Sequence, residues 1–157
     1  MSKVAFRKRA LGRFFFLFLL KNLPLAFIAG VHLEELNNEG SQTSMRFKWL
    51  NKNPFRSMYF AAMHMAAEFA TGALLFQYMN SSTRFSMLLV KTEAEFHKKA
   101  LGKIAFTCNQ GIEADQFITN MLDSTDGQTI RLTVRATNEE QLEVATFTYT
   151  WACKKKA

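Results

Sequence analysis

Between Met58 and Met79 run 22 residues rich in alanine, methionine and leucine, among which Glu68 is the only charged side chain. Burying an unpaired carboxylate costs on the order of several kcal/mol, so packing alone does not account for it. Partial burial raises a carboxylate pKa into the range where it can take a proton from water, which is general-base chemistry. The bland alternative is a glutamate paired with a basic residue across a subunit interface. His64 lies four residues before Glu68 and Thr71 three residues after it, so the three share one helical face. Thr71 is a candidate for positioning a water, the alternative being a hydroxyl bonded to its own helix backbone. A metal site needs more ligands than His64 and Glu68, and no H-E-x-x-H pattern exists. No metal is expected, and His64 reads as a core or interface histidine.

At about 1.5 Å per residue, residues 58–79 predict a helix a little over 30 Å long, with Ser57 as its cap. It is apolar on nearly every side, as a helix wrapped by other elements would be. Strands are expected around it. Residues 26–37 and 42–50 flank the turn Asn37-Asn38-Glu39-Gly40, the second with Met45, Phe47 and Trp49 on one face. After Asn80-Ser81-Ser82, Leu88, Val90, Thr92, Ala94 and Phe96 alternate onto one face, followed by Ile104, Phe106 and Cys108. Residues 112–122 predict a short helix packing through Ile112, Phe117, Ile118, Met121 and Leu122. Two last strands turn Ile130, Leu132, Val134 and Ala136, then Ala145, Phe147, Tyr149 and Trp151, to one side. The expected class is α+β: a six-stranded antiparallel sheet around one long buried helix, in a single domain over residues 1–157.

The net charge is +7, and much of it lies at the two ends. That suits an anionic partner or simply solubilises the termini. Zinc-knuckle spacing, a helix-turn-helix pattern and a basic stripe interleaved with aromatics are all missing inside the domain, so no nucleic-acid partner is expected. The basic stretch before Phe14-Phe15-Phe16-Leu17-Phe18-Leu19-Leu20 has the look of a secretory signal. Yet the apolar run ends after seven residues at Lys21 and Asn22, without a small-x-small cleavage site. It is also too short to span a bilayer. Residues 1–22 therefore read as an amino-terminal helix packed on the domain, ended by Pro24, with an interfacial membrane helix as the alternative and no stable membrane insertion expected. Cys108 and Cys153 read as buried reduced thiols, which favours the cytoplasm; a disulfide between neighbouring strands is the alternative.

Asn53, Tyr59 and Glu68 are spaced by six and nine residues, and Phe96-His97-Lys98-Lys99-Ala100-Leu101-Gly102 forms an aromatic-to-glycine link. In both features the chain resembles the hot-dog fold acyl-CoA thioesterases, of the phenylacetic-acid-degradation and 4-hydroxybenzoyl-CoA thioesterase types. Tyr59-Phe60-Ala61 stands where that family usually has His-Gly-Gly at its helix start, and the helix at 112–122 is an insertion.

The resemblance implies hydrolysis of an acyl-CoA thioester at a site shared by two subunits of a homodimer, or of a tetramer. Glu68 would act as general base or as nucleophile, with Asn53 and Thr71 orienting water or carbonyl. The backbone N–H groups of Phe60 and Ala61, unpartnered in a first helical turn, would hold the developing oxyanion. Arg84, Lys98 and Lys99 would meet the phosphates of coenzyme A, which enters as part of the substrate; no separate cofactor is implied. A non-catalytic acyl-CoA or fatty-acid binding protein is the rival reading.

Overall fold

The computed structural model describes residues 2–79 and 83–156; the turn expected at Asn80-Ser81-Ser82 lies outside them. Helices α1 (Lys3–Ala10), α2 (Phe15–Asn22) and α3 (Pro24–Ala29) lead into strands β1 (Val31–Leu36) and β2 (Ser41–Arg46). Helix α4 (Phe60–Phe76), strands β3 (Phe85–Phe96) and β4 (Lys103–Cys108), helix α5 (Gly111–Asp123), and strands β5 (Gln128–Thr137) and β6 (Glu143–Lys155) follow. All six strands are antiparallel, in the order β1-β2-β4-β5-β6-β3, so β1 and β3 are the edges. The sheet wraps α4, as expected.

The helix meets the sheet through small side chains. Ala62, Ala66, Ala67, Ala70 and Ala73 are buried at helical spacing, and without bulk there the backbone comes close to the strands. The contact is close enough for hydroxyls of the sheet to bond the helix backbone. Ser41 donates to the carbonyl of Ala70 (2.8 Å), Thr43 to that of Ala66 (2.7 Å) and Tyr149 to that of His64 (3.0 Å). Trp151 donates from Nε1 to the Thr71 hydroxyl (3.0 Å). With the alanine face on the sheet, Ala61, His64, Met65, Glu68, Gly72 and Phe76 are left on the far side, exposed or half-exposed. The helix is therefore not buried all round, and Glu68 sits in the middle of its open stripe.

Several boundaries differ from the sequence reading. Residues 26–29 are helical rather than extended. Pro24 not only follows the end of α2 but starts α3, since its fixed φ suits a first helical position, and Gly30 stops α3 with a left-handed φ of 81°. Strand β2 ends at Arg46, because Asn51 turns the chain back, accepting from the Lys48 N–H (2.8 Å) and donating to the Arg46 carbonyl (2.9 Å). Trp49, expected inward, is 74% exposed. Helix α4 starts two residues late because Met58 and Tyr59 are held extended by Ala100 and Asn51 carbonyls (3.0 and 2.7 Å). Ser57 is not its cap; it bonds Asn53 instead.

In β3 a bulge at Val90 switches which residues face inward. Met87 and Leu89 pair with the buried Cys153 and Trp151 of β6 before it, and Thr92, Ala94 and Phe96 with the buried Tyr149, Phe147 and Ala145 after it. Leu88 and Val90, expected inward, are 65% and 51% exposed. Helix α5 lies where expected and packs through Phe117, Ile118, Met121 and Leu122 as expected, with Ala114 added, while Ile112 is exposed. Cys108 and Cys153 are free, buried thiols, each pushed up to about 11 by burial. Strand β5 lies between them, and two strand spacings alone set them at least about 9.5 Å apart, which rules out the disulfide alternative.

The β1–β2 turn lies against the start of α5, and two glycines permit it. A Cβ on Gly111 would stand 2.1 Å from the Asn38 carbonyl oxygen, and one on Gly40 2.1 Å from that of Cys108. We expect Gly111→Ala and Gly40→Ala each to destabilise the fold by about 1–3 kcal/mol or more. Gly127→Ala, whose Cβ would meet nothing nearer than 3.7 Å, serves as the neutral control, read from urea unfolding midpoints. Thr71→Val, which leaves the buried Trp151 indole N–H without an acceptor, should cost about 1–3 kcal/mol in the same assay.

Candidate functional site

Glu68 projects from the open stripe of α4 into the wall of a cavity of about 660 Å³. Helices α1–α3 form its roof, α4 one wall, and the start of β3 with the end of β6 another. Phe6, Phe15, Met65, Phe69, Phe85 and Trp151 make the lining mostly apolar. The Glu68 carboxylate has no hydrogen-bond or ion-pair partner among the described residues, and these apolar neighbours hold its pKa above the ordinary 4.5. Partial burial was expected, and within one chain the side chain reaches solvent at the cavity edge.

His64 stands one turn before Glu68 with Nδ1 3.2 Å from the Tyr149 hydroxyl. That hydroxyl gives its proton to the His64 carbonyl, so the imidazole donates from Nδ1 to the phenol oxygen. Burial lowers the His64 pKa and favours this neutral form. Phe147 and Phe96 meet the ring edge-on at 4.9 and 6.2 Å. Tyr149 is held protonated by burial and by the nearby charge of Glu68. No group of three metal-ligating side chains occurs among the described residues.

The remaining candidates fall in different places. Thr71 is fully buried, and its hydroxyl donates to the Glu68 carbonyl (2.9 Å) while accepting from Trp151. It braces the helix and does not face the carboxylate's cavity. Asn53 is engaged within its own loop. Its side-chain oxygen accepts from the N–H groups of Phe55 (2.9 Å) and Ser57 (3.2 Å), and its amide donates to the Ser57 hydroxyl and the Met58 carbonyl. Its role here is to shape the entry to α4.

The N–H groups of Phe60 and Ala61 open α4 without a side-chain cap, and neither has an acceptor among the described residues. The Phe60 ring stacks on Phe96 beside them, centroids 4.1 Å apart. Glu68 lies eight residues further along, about 12 Å on the helix axis. One carbonyl cannot touch both ends of that span in a single chain.

Lys98 and Lys99 are exposed on the β3–β4 link, next to the start of α4, where Lys99 Nζ donates to the Phe55 carbonyl (3.3 Å). Arg84 is also exposed, but at the opposite end of β3, whose 12 residues span about 40 Å. It does not join the two lysines, and instead accepts a backbone bond from Lys156 (3.0 Å), a residue at the cavity edge. The sequence reading missed the aromatic roof of the cavity. The signal was present, since Met65, Phe69, Gly72 and Phe76 recur on the face of Glu68.

No curated protein matches the chain. Among solved structures it is similar to PA5026 from Pseudomonas aeruginosa, a protein of unknown function described as a probable thioesterase. That likeness has a TM-score of 0.79 at 18% identity and covers 99% of this chain and 97% of that one. A putative thioesterase from Shewanella oneidensis gives 0.73 at 9% identity over 96% and 99% of the two chains. The E. coli PaaI protein of the phenylacetic acid degradation operon gives 0.64 at 12% over 88% of each. These likenesses establish the hot-dog fold. The family described as "Domain of unknown function (DUF4442)" matches residues 12–153, nearly the whole of the wrapped sheet, its helix and the cavity roof, and the chain belongs to that family.

Proposed function

We propose that this protein hydrolyses acyl-CoA thioesters, with Glu68 as general base or nucleophile at a site completed by a second copy of the chain. One observation carries the reading: an unpaired carboxylate in the wall of an apolar cavity of about 660 Å³, a size suited to a small-molecule ligand. The acyl chain lies among the Phe and Met side chains, and its thioester carbonyl comes to Glu68. Glu68 takes a proton from water, the hydroxide adds to the carbonyl, and the carbon–sulfur bond breaks as the proton passes to the leaving thiolate. In the nucleophilic variant the carboxylate itself adds to the carbonyl, the carbon–sulfur bond breaks and the thiolate leaves, and water then hydrolyses the anhydride, returning the Glu68 carboxylate and giving a proton to the thiolate.

The oxyanion requires donors that Glu68's own helix start, about 12 Å away, does not provide. The free N–H groups of Phe60 and Ala61 in a second copy supply them. Strand β3 supports such pairing as a long open edge, with Leu88 and Val90 exposed beside it. Lys98 and Lys99, near the helix start, meet the coenzyme A phosphates. The buried reduced thiols fit a reducing cytoplasm.

A second reading, acyl-CoA or fatty-acid binding without turnover, has one observation in its favour. The Phe60–Phe96 stack stands beside the donor N–H groups, where smaller residues would leave open space.

A panel of acyl-CoAs assayed by thiol release should show turnover with the wild type and a loss of about 100-fold or more in Glu68→Gln. Binding without turnover in the wild type contradicts hydrolysis and supports the second reading. The base works ionised, so kcat/KM should rise with pH through a pKa above 4.5. The sign for stability is opposite. Because folding raises this carboxyl's pKa, the folded state favours the proton. Stability associated with Glu68 is full below the unfolded pKa and declines as pH rises through the folded one. Glu68→Gln should therefore melt at the same or a higher temperature than wild type at pH 7, with the gap closing below about pH 4.

A further inference from the structure

We infer that the α2–α3 face docks on an anionic lipid bilayer surface. Only Leu19 of α2 and Ala26 of α3 are fully buried. Phe14, Phe16, Leu17, Leu20, Leu25 and Ile28 project outward, from 46% to 66% exposed. An apolar surface of this extent on a folded chain marks an interaction site. No described helix is long and apolar enough to cross a membrane, so the face can lie on a bilayer but not span it.

Charge selects the occupant. The first 33 residues hold six Lys and Arg and no Asp or Glu. Lys3 is paired with Asp115 (2.7 Å), and Arg7 is bonded to Gln77 and Asn38. Lys8, Arg9, Arg13 and Lys21 are exposed and make no ion pair among the described residues. They are interleaved with the apolar side chains: Arg13 lies over the Phe14 ring (4.5 Å), and Arg9 and Lys21 line one recess with Phe14, Leu17 and Phe18. A symmetric contact between two copies would set this patch against itself, cation against cation. An anionic bilayer neutralises the cations and takes up the apolar side chains together. Phe18 and Leu23 also line the large cavity, so docking brings its roof to the lipid. The inference does not depend on thioester hydrolysis.

The full chain should co-sediment with vesicles of phosphatidylglycerol and phosphatidylcholine, and much less with phosphatidylcholine alone. Binding should fall by roughly tenfold or more in Arg9→Glu/Arg13→Glu, in Leu17→Asp/Leu20→Asp, and on raising salt to about 0.5 M. For the two double variants, particle mass by light scattering, thermal melting and hydrolysis of a soluble short-chain acyl-CoA are measured alongside at low salt and should not change. Failure of the wild type to bind anionic vesicles overturns the inference, as does equal, salt-independent binding to neutral ones. A change in particle mass in Leu17→Asp/Leu20→Asp also overturns it, by making the face a contact between copies. Loss of hydrolysis with vesicle binding intact would count against the catalytic reading alone.

Discussion

The close approach of α4 to the sheet is the constraint on which the rest depends. Five buried alanines on one helical face let the strands come near enough for Ser41 and Thr43 to donate into the helix backbone. Each such bond contributes about 1 kcal/mol net, but the geometric consequence is larger. With the alanine face, the two hydroxyls and the Trp151–Thr71–Glu68 backbone chain all in place, the helix cannot rotate about its axis. The stripe carrying His64, Met65, Glu68 and Gly72 must then point away from the sheet. Bulkier residues at the alanine positions would lift the helix and release that constraint.

What covers the open stripe defines the site. The amino-terminal helices roof the half that holds Met65, Phe69 and Phe76, and so create an apolar cavity with one carboxylate in its wall. The other half, toward the helix start, stays open beside the Phe60–Phe96 stack and the free edge of β3. A carboxylate in such surroundings is a cost to stability that packing does not recover, because burial raises its pKa without a cation to offset it. The donors that would complete a hydrolytic centre lie at the far end of the same helix. Under the proposed function, two copies related by a two-fold axis would resolve this geometry, each offering its carboxylate to the other's helix start.

Period-two alternation of apolar residues was enough to read β4, β5 and β6 with their inward faces, and the solitary charge at Glu68 was enough to find the cavity wall. Features set by tertiary bonds were not legible. The late start of α4 comes from the carbonyls of Asn51 and Ala100, and the switch of facing in β3 comes from a bulge that pairing with β6 imposes. Pro24 was legible as an end to α2 but not as the start of α3, although Gly30 stands where a helix stop belongs. Thr71 shares a helical turn with Glu68 in sequence, yet in space it is claimed by Trp151 from a strand 80 residues away. Spacing placed Asn53 before the helix, whereas the bonds that show it shaping its own loop emerge only from the fold. Grouping Arg84 with Lys98 and Lys99 failed because an extended strand separates them.

Mixing two inactive variants tests the shared site most directly. Glu68→Gln removes the base and leaves the helix start intact. Ala61→Pro removes one of the proposed donor N–H groups at a first-turn position where proline is tolerated. Unfolded together and refolded at equal ratio, half of the dimers would be mixed, each with one complete site. Thiol release should then return to about a quarter of the wild-type rate. Activity recovers on mixing if each site takes its carboxylate from one copy and its helix start from the other. Two variants that are each inactive alone, form mixed dimers and still show no turnover would contradict that arrangement.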